Sequence, residues 1–204
     1  MSDTSRVLAS PAEIELKIKG SRFIARARPV RTREDVAREV DAIRRRDHDA
    51  SHHCTAFRIG ADGEDWGFSD DREPSGTAGR PMLRHIEGHD LTDALVVVTR
   101  YFGGTKLGTG GLIRAYGDAT RAVLEAAPVR SIVNRKEVRL SFDYSDTSPA
   151  MHVLQKFDTR ILETSYGKRT TIRLGVRRSQ HDEFVRAFVD ALAGRGEIGS
   201  VNTS

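Results

Sequence analysis

Most of the side chains able to do chemistry are concentrated in two segments. The first runs Ser69-Asp70-Asp71-Arg72-Glu73-Pro74-Ser75-Gly76-Thr77-Ala78-Gly79-Arg80-Pro81 and brings three carboxylates close to the hydroxyls of Ser75 and Thr77. Such a set can act as a general acid and base or hold a magnesium ion, which prefers carboxylate oxygens; equally, it can cap turns and pair with Arg72 and Arg80. The second runs from Thr99 to Tyr116 and contains Gly103, Gly104, Gly108, Gly110 and Gly111 around Lys106, with Arg100 before and Arg114 after. Glycines ahead of a helix leave backbone N–H groups unshielded, which suits a phosphate or carboxylate; the competing reading is close packing of strand and helix. The string is not a P-loop, because Gly-x-x-x-x-Gly-Lys-Ser/Thr is absent, and ATP chemistry is not expected. No histidine is placed by sequence to activate Ser75 or Thr77.

A third group, His48, His52, His53 and Cys54, contains zinc-ligand residue types. On a strand His52 and Cys54 point one way and His53 the other, and no second ligand pair follows, so no metal is expected. Cys54 reads as a small buried hydrophobe, and His53 as a side chain bonded to a neighbouring backbone group. No cofactor is expected either. Tyr101, Phe102 and Tyr116 suit a core, or, if exposed beside Arg100, a platform for RNA bases.

Composition narrows the classes. A chain of 204 residues with 38% hydrophobic and 30% charged residues has room for two small domains with proper cores. No apolar run is long enough to span a membrane and the first twenty residues do not read as a secretory signal, so a cytoplasmic location and no membrane partner are expected. The single cysteine excludes an internal disulfide. The net charge of +4 is compatible with nucleic acid but is not concentrated in a polybasic arm.

The elements that must position these residues follow from periodicity. Ile14, Leu16 and Ile18 alternate, Lys19-Gly20-Ser21 turns, and Arg22 to Ala25 returns as a hairpin. Thr32 caps a helix carrying Val36, Val40 and Ile43, closed by Arg44-Arg45-Arg46. A strand through His53 to Ile59 turns at Asp62-Gly63 into one through Trp66 and Phe68. Pro81 opens a short helix with Met82, Leu83 and Ile86; Leu95 to Val98 is a strand buried on both faces; and a helix from Gly110 carries Leu112, Ala115, Tyr116, Ala119 and Val123 as far as Pro128. Residues 128–135 read as a linker. Beyond it come a strand through Val138, Leu140 and Phe142, a helix capped by Thr147, strands over 161–166 and 171–176, a helix with Phe184 and Phe188, and a last strand at 198–201. That β-α-β-β-α-β order is ferredoxin-like. The expected organisation is an α+β chain with domains 1–130 and 131–204.

The two glycine-rich strings, with Lys17, Gly20-Ser21-Arg22-Phe23-Ile24 and His53-Cys54-Thr55-Ala56-Phe57-Arg58, resemble the IMPACT N-terminal domain as it occurs in the bacterial YigZ family, over about residues 12–127. The resemblance implies a first domain with the two-layer α/β topology of domain IV of elongation factor G and of the GHMP kinases, though the serine-rich helix start of those kinases is missing. It implies a second, ferredoxin-like domain like that of bacterial members. Eukaryotic relatives regulate translation through an additional N-terminal domain; the sequence shows no counterpart of it, so kinase regulation is not carried over. Arg72 stands where many relatives have glycine, and Asp47-His48-Asp49 replaces a common His-Pro-Asp.

The leading expectation is a non-catalytic, translation-associated protein that binds ribosomal or other RNA through Arg80, Arg100, Lys106 and Arg114, framed by Gly104, Gly110 and Gly111. An enzyme acting on a small phosphorylated or carboxylated substrate in a pocket between the two segments is the alternative. A regulator with a protein partner is a third reading, and it requires an exposed apolar patch.

Overall fold

The computed structural model describes residues 3–200, which fall into two compact units, residues 5–132 and residues 133–200 together with 3–4. In the first unit β1 (Thr4–Leu8), β2 (Ala12–Ile18) and β3 (Ser21–Pro29) precede helix α1 (Arg33–Arg46). Then come β4 (His52–Ile59), β5 (Asp65–Ser69), α2 (Gly79–Gly88), β6 (Ala94–Tyr101), α3 (Gly108–Ala126) and β7 (Val129–Val133).

Five strands form an antiparallel sheet in the order β2-β3-β6-β4-β5. The β-branched run Val96 to Val98 lies at its centre, so β6 is buried on both faces, as its continuous apolar pattern requires. Phe23, Ala25, Ala56, Val96 and Val98 meet Met82, Ile86, Leu112, Tyr116 and Val123 of α2 and α3 in the main core. The opposite face is partly covered by α1, whose Ile43, Val36 and Val40 pack on Leu95 and Val97. Helix α1 starts at a reciprocal capping box: the Asp35 amide donates to the Thr32 hydroxyl, and the Asp35 carboxylate accepts from the Thr32 amide.

One reading changes here. Residues 128–135 are not a bare linker, because residues 129–133 form β7, which pairs with β1, a strand the sequence pattern did not reveal. An arginine is also wholly buried: Arg26 of β3 is 1% exposed and donates to Glu13 at 2.7 Å and Thr99 at 2.9 Å, with Asp47 at 2.7 Å. Two carboxylates and a hydroxyl compensate the desolvated guanidinium.

The second unit comprises β8 (Arg135–Phe142), α4 (Thr147–Lys156), β9 (Thr159–Tyr166), β10 (Thr170–Arg177), α5 (His181–Ala191) and β11 (Glu197–Ser200). Its sheet order β11-β8-β10-β9, all antiparallel, is ferredoxin-like. The core joins Val138, Leu140, Phe142, Leu174 and Val176 to Val153, Leu154, Phe184 and Phe188. Thr147 is the first residue of α4 rather than its cap; its hydroxyl donates to the Tyr144 carbonyl. Val201, expected in the last strand, lies outside the described residues.

Candidate functional site

The loop between β5 and α2 is organised around one carboxylate. Asp70 accepts from the amides of Gly76 at 2.7 Å, Ala78 at 3.0 Å and Gly79 at 2.8 Å, so it fixes the turn and satisfies the start of α2. Asp71 accepts from the His53 amide at 2.6 Å and from Arg44 at 3.1 Å. Glu73 is buried and accepts from Arg100 at 2.6 Å and from the Tyr116 hydroxyl at 2.8 Å. Each of the three carboxylates thus serves the fold. Among the described residues no group of three or more His, Cys, Asp or Glu could hold a metal ion.

Side chains read as reactive are similarly engaged. Cys54 is buried and its thiol donates to the Asp70 carbonyl at 3.1 Å, and desolvation pushes its pKa up to about 12. The ring of His53 bonds the Asp47 backbone, in keeping with the reading of a histidine tied to a nearby backbone group; Nδ1 lies 3.3 Å from the Thr99 hydroxyl, and burial holds its pKa below the usual imidazole value. The Nδ1 of His52 is 2.8 Å from the Asp71 carbonyl and so carries the proton, which leaves Nε2 toward Glu73, 3.7 Å away.

The second segment divides its glycines between packing and access. Gly103 lies against Gly20, where a Cβ would sit 1.9 Å from the Gly20 carbonyl carbon, so that glycine is demanded by close backbone approach. Gly110 is different. Its φ is not positive, and a Cβ there would meet nothing within 4 Å, although glycine weakens a helix. Gly104, with φ of +85°, also faces open space, whereas a Cβ on Gly111 would touch Leu107 at 3.1 Å. Helix α3 begins at Gly108 with no side-chain cap, so the amides of its first turn, those of Gly108, Thr109 and Gly110, have no side-chain acceptor among the described residues.

The start of this helix borders a cleft of about 370 Å³ lined by both segments: Glu73 and Pro74 from one, Arg100, Phe102, Lys106, Leu107, Gly108, Thr109 and Leu112 from the other, with His52. Arg100, expected to present its charge to phosphate at an open surface, is instead 5% exposed and ion-paired to Glu73. It forms part of the wall, between the rings of Phe23 and Phe102, 5.5 and 5.6 Å from their centroids. Its Nη2 reaches Ser21 only at 3.4 Å, and its Nε has no hydrogen-bond partner among the described residues. Tyr116 is core, while Phe102 is half exposed.

Lys106 lies at the mouth of this cleft. Arg114 lies elsewhere, in a shallow groove between α2 and α3 that it shares with Arg84, His85 and Ile113. Arg80 is exposed at the start of α2, one turn before Arg84, and lines neither depression. Sequence reasoning passed over Arg84, although its spacing of four from Arg80 on one helix was a usable signal, and over His52 as a cleft residue. Exposed apolar side chains occur on edge strand β5, at Trp66 and Phe68, and in the second unit on edge strand β9, at Ile161, Leu162 and Tyr166. No helix among the described residues is long and apolar enough to cross a membrane.

A helix-backed antiparallel sheet with a ligand-sized cleft at the head of its longest helix, followed by a ferredoxin-like unit, defines a two-unit class of α+β protein. Residues 19–124 match the Impact N-terminal domain, and residues 140–195 match a domain of unknown function, DUF1949. The chain belongs to the IMPACT family. It is 34% identical over 188 residues to the IMPACT family member YigZ of Escherichia coli, covering 91% of this chain and 92% of that one. It is 34% identical to the IMPACT family member YvyE of Bacillus subtilis, covering 91% and 86%. The Protein IMPACT homolog of Saccharomyces cerevisiae is 32% identical over 111 residues, which is 53% of this chain and 43% of that one. A crystal structure described as that of a hypothetical protein covers 100% of both chains at a TM-score of 0.74 and 30% identity.

Proposed function

We propose that this protein is a non-catalytic, translation-associated regulator that binds ribosomal or other RNA through its N-terminal unit. The observation that carries the reading is a set of uncommitted cations. Arg80, Arg84, Lys106 and Arg114 are exposed, and none has an ion-pair partner among the described residues, whereas most other arginines around them are held by carboxylates. An exposed guanidinium or ammonium without a counter-charge is free to replace the condensed cations on a phosphate backbone. Phosphate contacts of this kind position a protein on RNA without reading its sequence. The engagement of Asp70, Asp71 and Glu73 in turns, caps and ion pairs favours a structural use of these carboxylates over acid–base work, and the kinship with translational regulators supports the same reading.

Cosedimentation with ribosomes, and binding of a labelled ribosomal RNA fragment, are measured between roughly 50 and 200 mM salt. Affinity is expected to fall steeply with salt. Lys106→Ala, Arg80→Ala, Arg84→Ala and Arg114→Ala are each expected to weaken binding by about 1 kcal/mol and to flatten the salt slope by about one ion. A parent protein that binds neither ribosomes nor RNA at the lowest salt overturns the reading.

A further inference from the structure

The geometry points to the cleft at the head of α3 as a seat for a single nucleotide unit of single-stranded RNA, its phosphate on the first amides of α3 and its base against Phe102. The inference rests on the RNA-binding reading above and deepens it by naming the contact.

Four independent features converge. Gly108 and Thr109, the first residues of a 19-residue helix whose first turn is uncapped by any side chain, line the cleft, so the positive end of that helix lies beside it. Gly110 needs neither positive φ nor packing space, and its missing side chain leaves the backbone open to close approach. Arg100, nine-tenths buried in the wall, keeps an Nε without an acceptor among the described residues, and a buried donor left over by the fold calls for an acceptor from outside it. Its charge is balanced by Glu73, so the mobile positive charge at the mouth comes from Lys106.

The fourth feature selects the rest of the ligand. A bare phosphate fills only a corner of about 370 Å³, which lies in the range of pockets that enclose a whole small ligand. The other walls are apolar: Pro74, Leu107, Leu112 and the half-exposed ring of Phe102, backed on one side by the Arg100 guanidinium. A flat base satisfies such walls by stacking, and an aromatic platform is indifferent to which base it receives. Bases inside a duplex are already stacked and cannot enter, so the strand must be single. Glu73, the one carboxylate in the wall, is neutralised by Arg100 and bonded to the Tyr116 hydroxyl, so it repels the phosphate weakly.

The test uses the full chain and amide-resolved NMR. Inorganic phosphate, a nucleoside 5′-monophosphate, and single- and double-stranded RNA oligonucleotides of equal length are titrated separately. Phosphate and the monophosphate are both expected to shift the Gly108, Thr109 and Gly110 amides, and the monophosphate to bind about tenfold more tightly through Phe102. Phe102→Ala is expected to erase that tenfold difference while sparing phosphate. Gly110→Asp places a carboxylate in the first turn, so it is expected to weaken every anion at least tenfold while raising the melting temperature, which separates lost binding from lost folding. Single-stranded RNA is expected to move the same amides and duplex RNA to leave them unmoved. Unshifted amides at Gly108 to Gly110 with phosphate and monophosphate overturn the inference, and RNA binding that still weakens in Arg114→Ala then leaves the broader reading standing. Monophosphate binding in the cleft without any binding of RNA or ribosomes overturns both, and marks the cleft as a small-ligand site.

Discussion

The guanidinium of Arg100 on β6 and the carboxylate of Glu73 in the loop before α2 meet at 2.6 Å, with both side chains withdrawn from solvent. A buried pair is costly to halve, because the surviving charge loses its partner without regaining water. Arg100→Ala and Glu73→Ala are each expected to destabilise the N-terminal unit by about 3–5 kcal/mol, and the double variant by much less than their sum. Urea denaturation of the four proteins in the cycle measures the coupling. Lys106→Ala and Arg114→Ala, at exposed sites, are expected to stay within about 0.5 kcal/mol of the parent.

Two glycines of the same surface should respond in opposite directions. Gly20 has a φ of +83°, and a Cβ there would sit 2.8 Å from the Gly103 carbonyl oxygen, so Gly20→Ala is expected to cost about 1–3 kcal/mol. Gly110 lies in a helix with open space above it, and Gly110→Ala is expected to stabilise by up to about 1 kcal/mol. Thermal melts of the two variants against the parent decide the matter.

Arg72 occupies the left-handed region with a φ of 69°, which explains why a family that tolerates glycine there would favour it. Its only side-chain hydrogen bond among the described residues is a 3.4 Å contact to the Ser51 carbonyl. Arg72→Gly is therefore expected to gain about 0.5–1 kcal/mol, the relief of side-chain strain exceeding the added freedom of the unfolded chain. A lower urea midpoint for this variant would refute that account.

Alkaline stability should report on the core. Burial pushes the Cys54 thiol up to about 12 from an ordinary 9.0, and burial likewise raises the Tyr116 phenol above its ordinary 10.0. Both groups stay protonated in the folded protein after the unfolded chain has begun to release its protons. Their stabilising contribution is whole below pH 9 and is lost as pH rises toward 12, so the melting temperature is expected to fall through this window. Cys54→Ala should make the fall shallower, and thiol reagents should label the parent only as it unfolds.

Local periodicity disclosed a good part of this fold. The hairpin of Ile14, Leu16 and Ile18, the Thr32 cap, the buried run Val96 to Val98, and the β-α-β-β-α-β order of the second unit are all written in spacings of two and 3.6 residues or in cap chemistry. What escaped depends on partners distant in the chain. β1 and β7 are short strands of mixed polarity that become regular only by pairing with each other across more than a hundred residues. Arg26 and Arg100 look like any strand arginine until Asp47 and Glu73 are brought to them, and a sequence states that a residue is cationic without stating whether its charge is spent. The glycine string was legible as a place where backbone is bare, but only coordinates separate Gly103, which packs, from Gly110, which does not.

The contact between Gly20 and Gly103 also bears on how tightly the proposed cleft ligand would be held. It anchors the beginning of the glycine-rich loop to the turn between β2 and β3, and the Gly103 amide donates to the Ser21 hydroxyl at 3.2 Å. The loop's far end is already fixed by the first turn of α3. A segment held at both ends surrenders little conformational entropy on association, so contacts made by the nucleotide proposed for the cleft would count toward affinity instead of being consumed in ordering the loop.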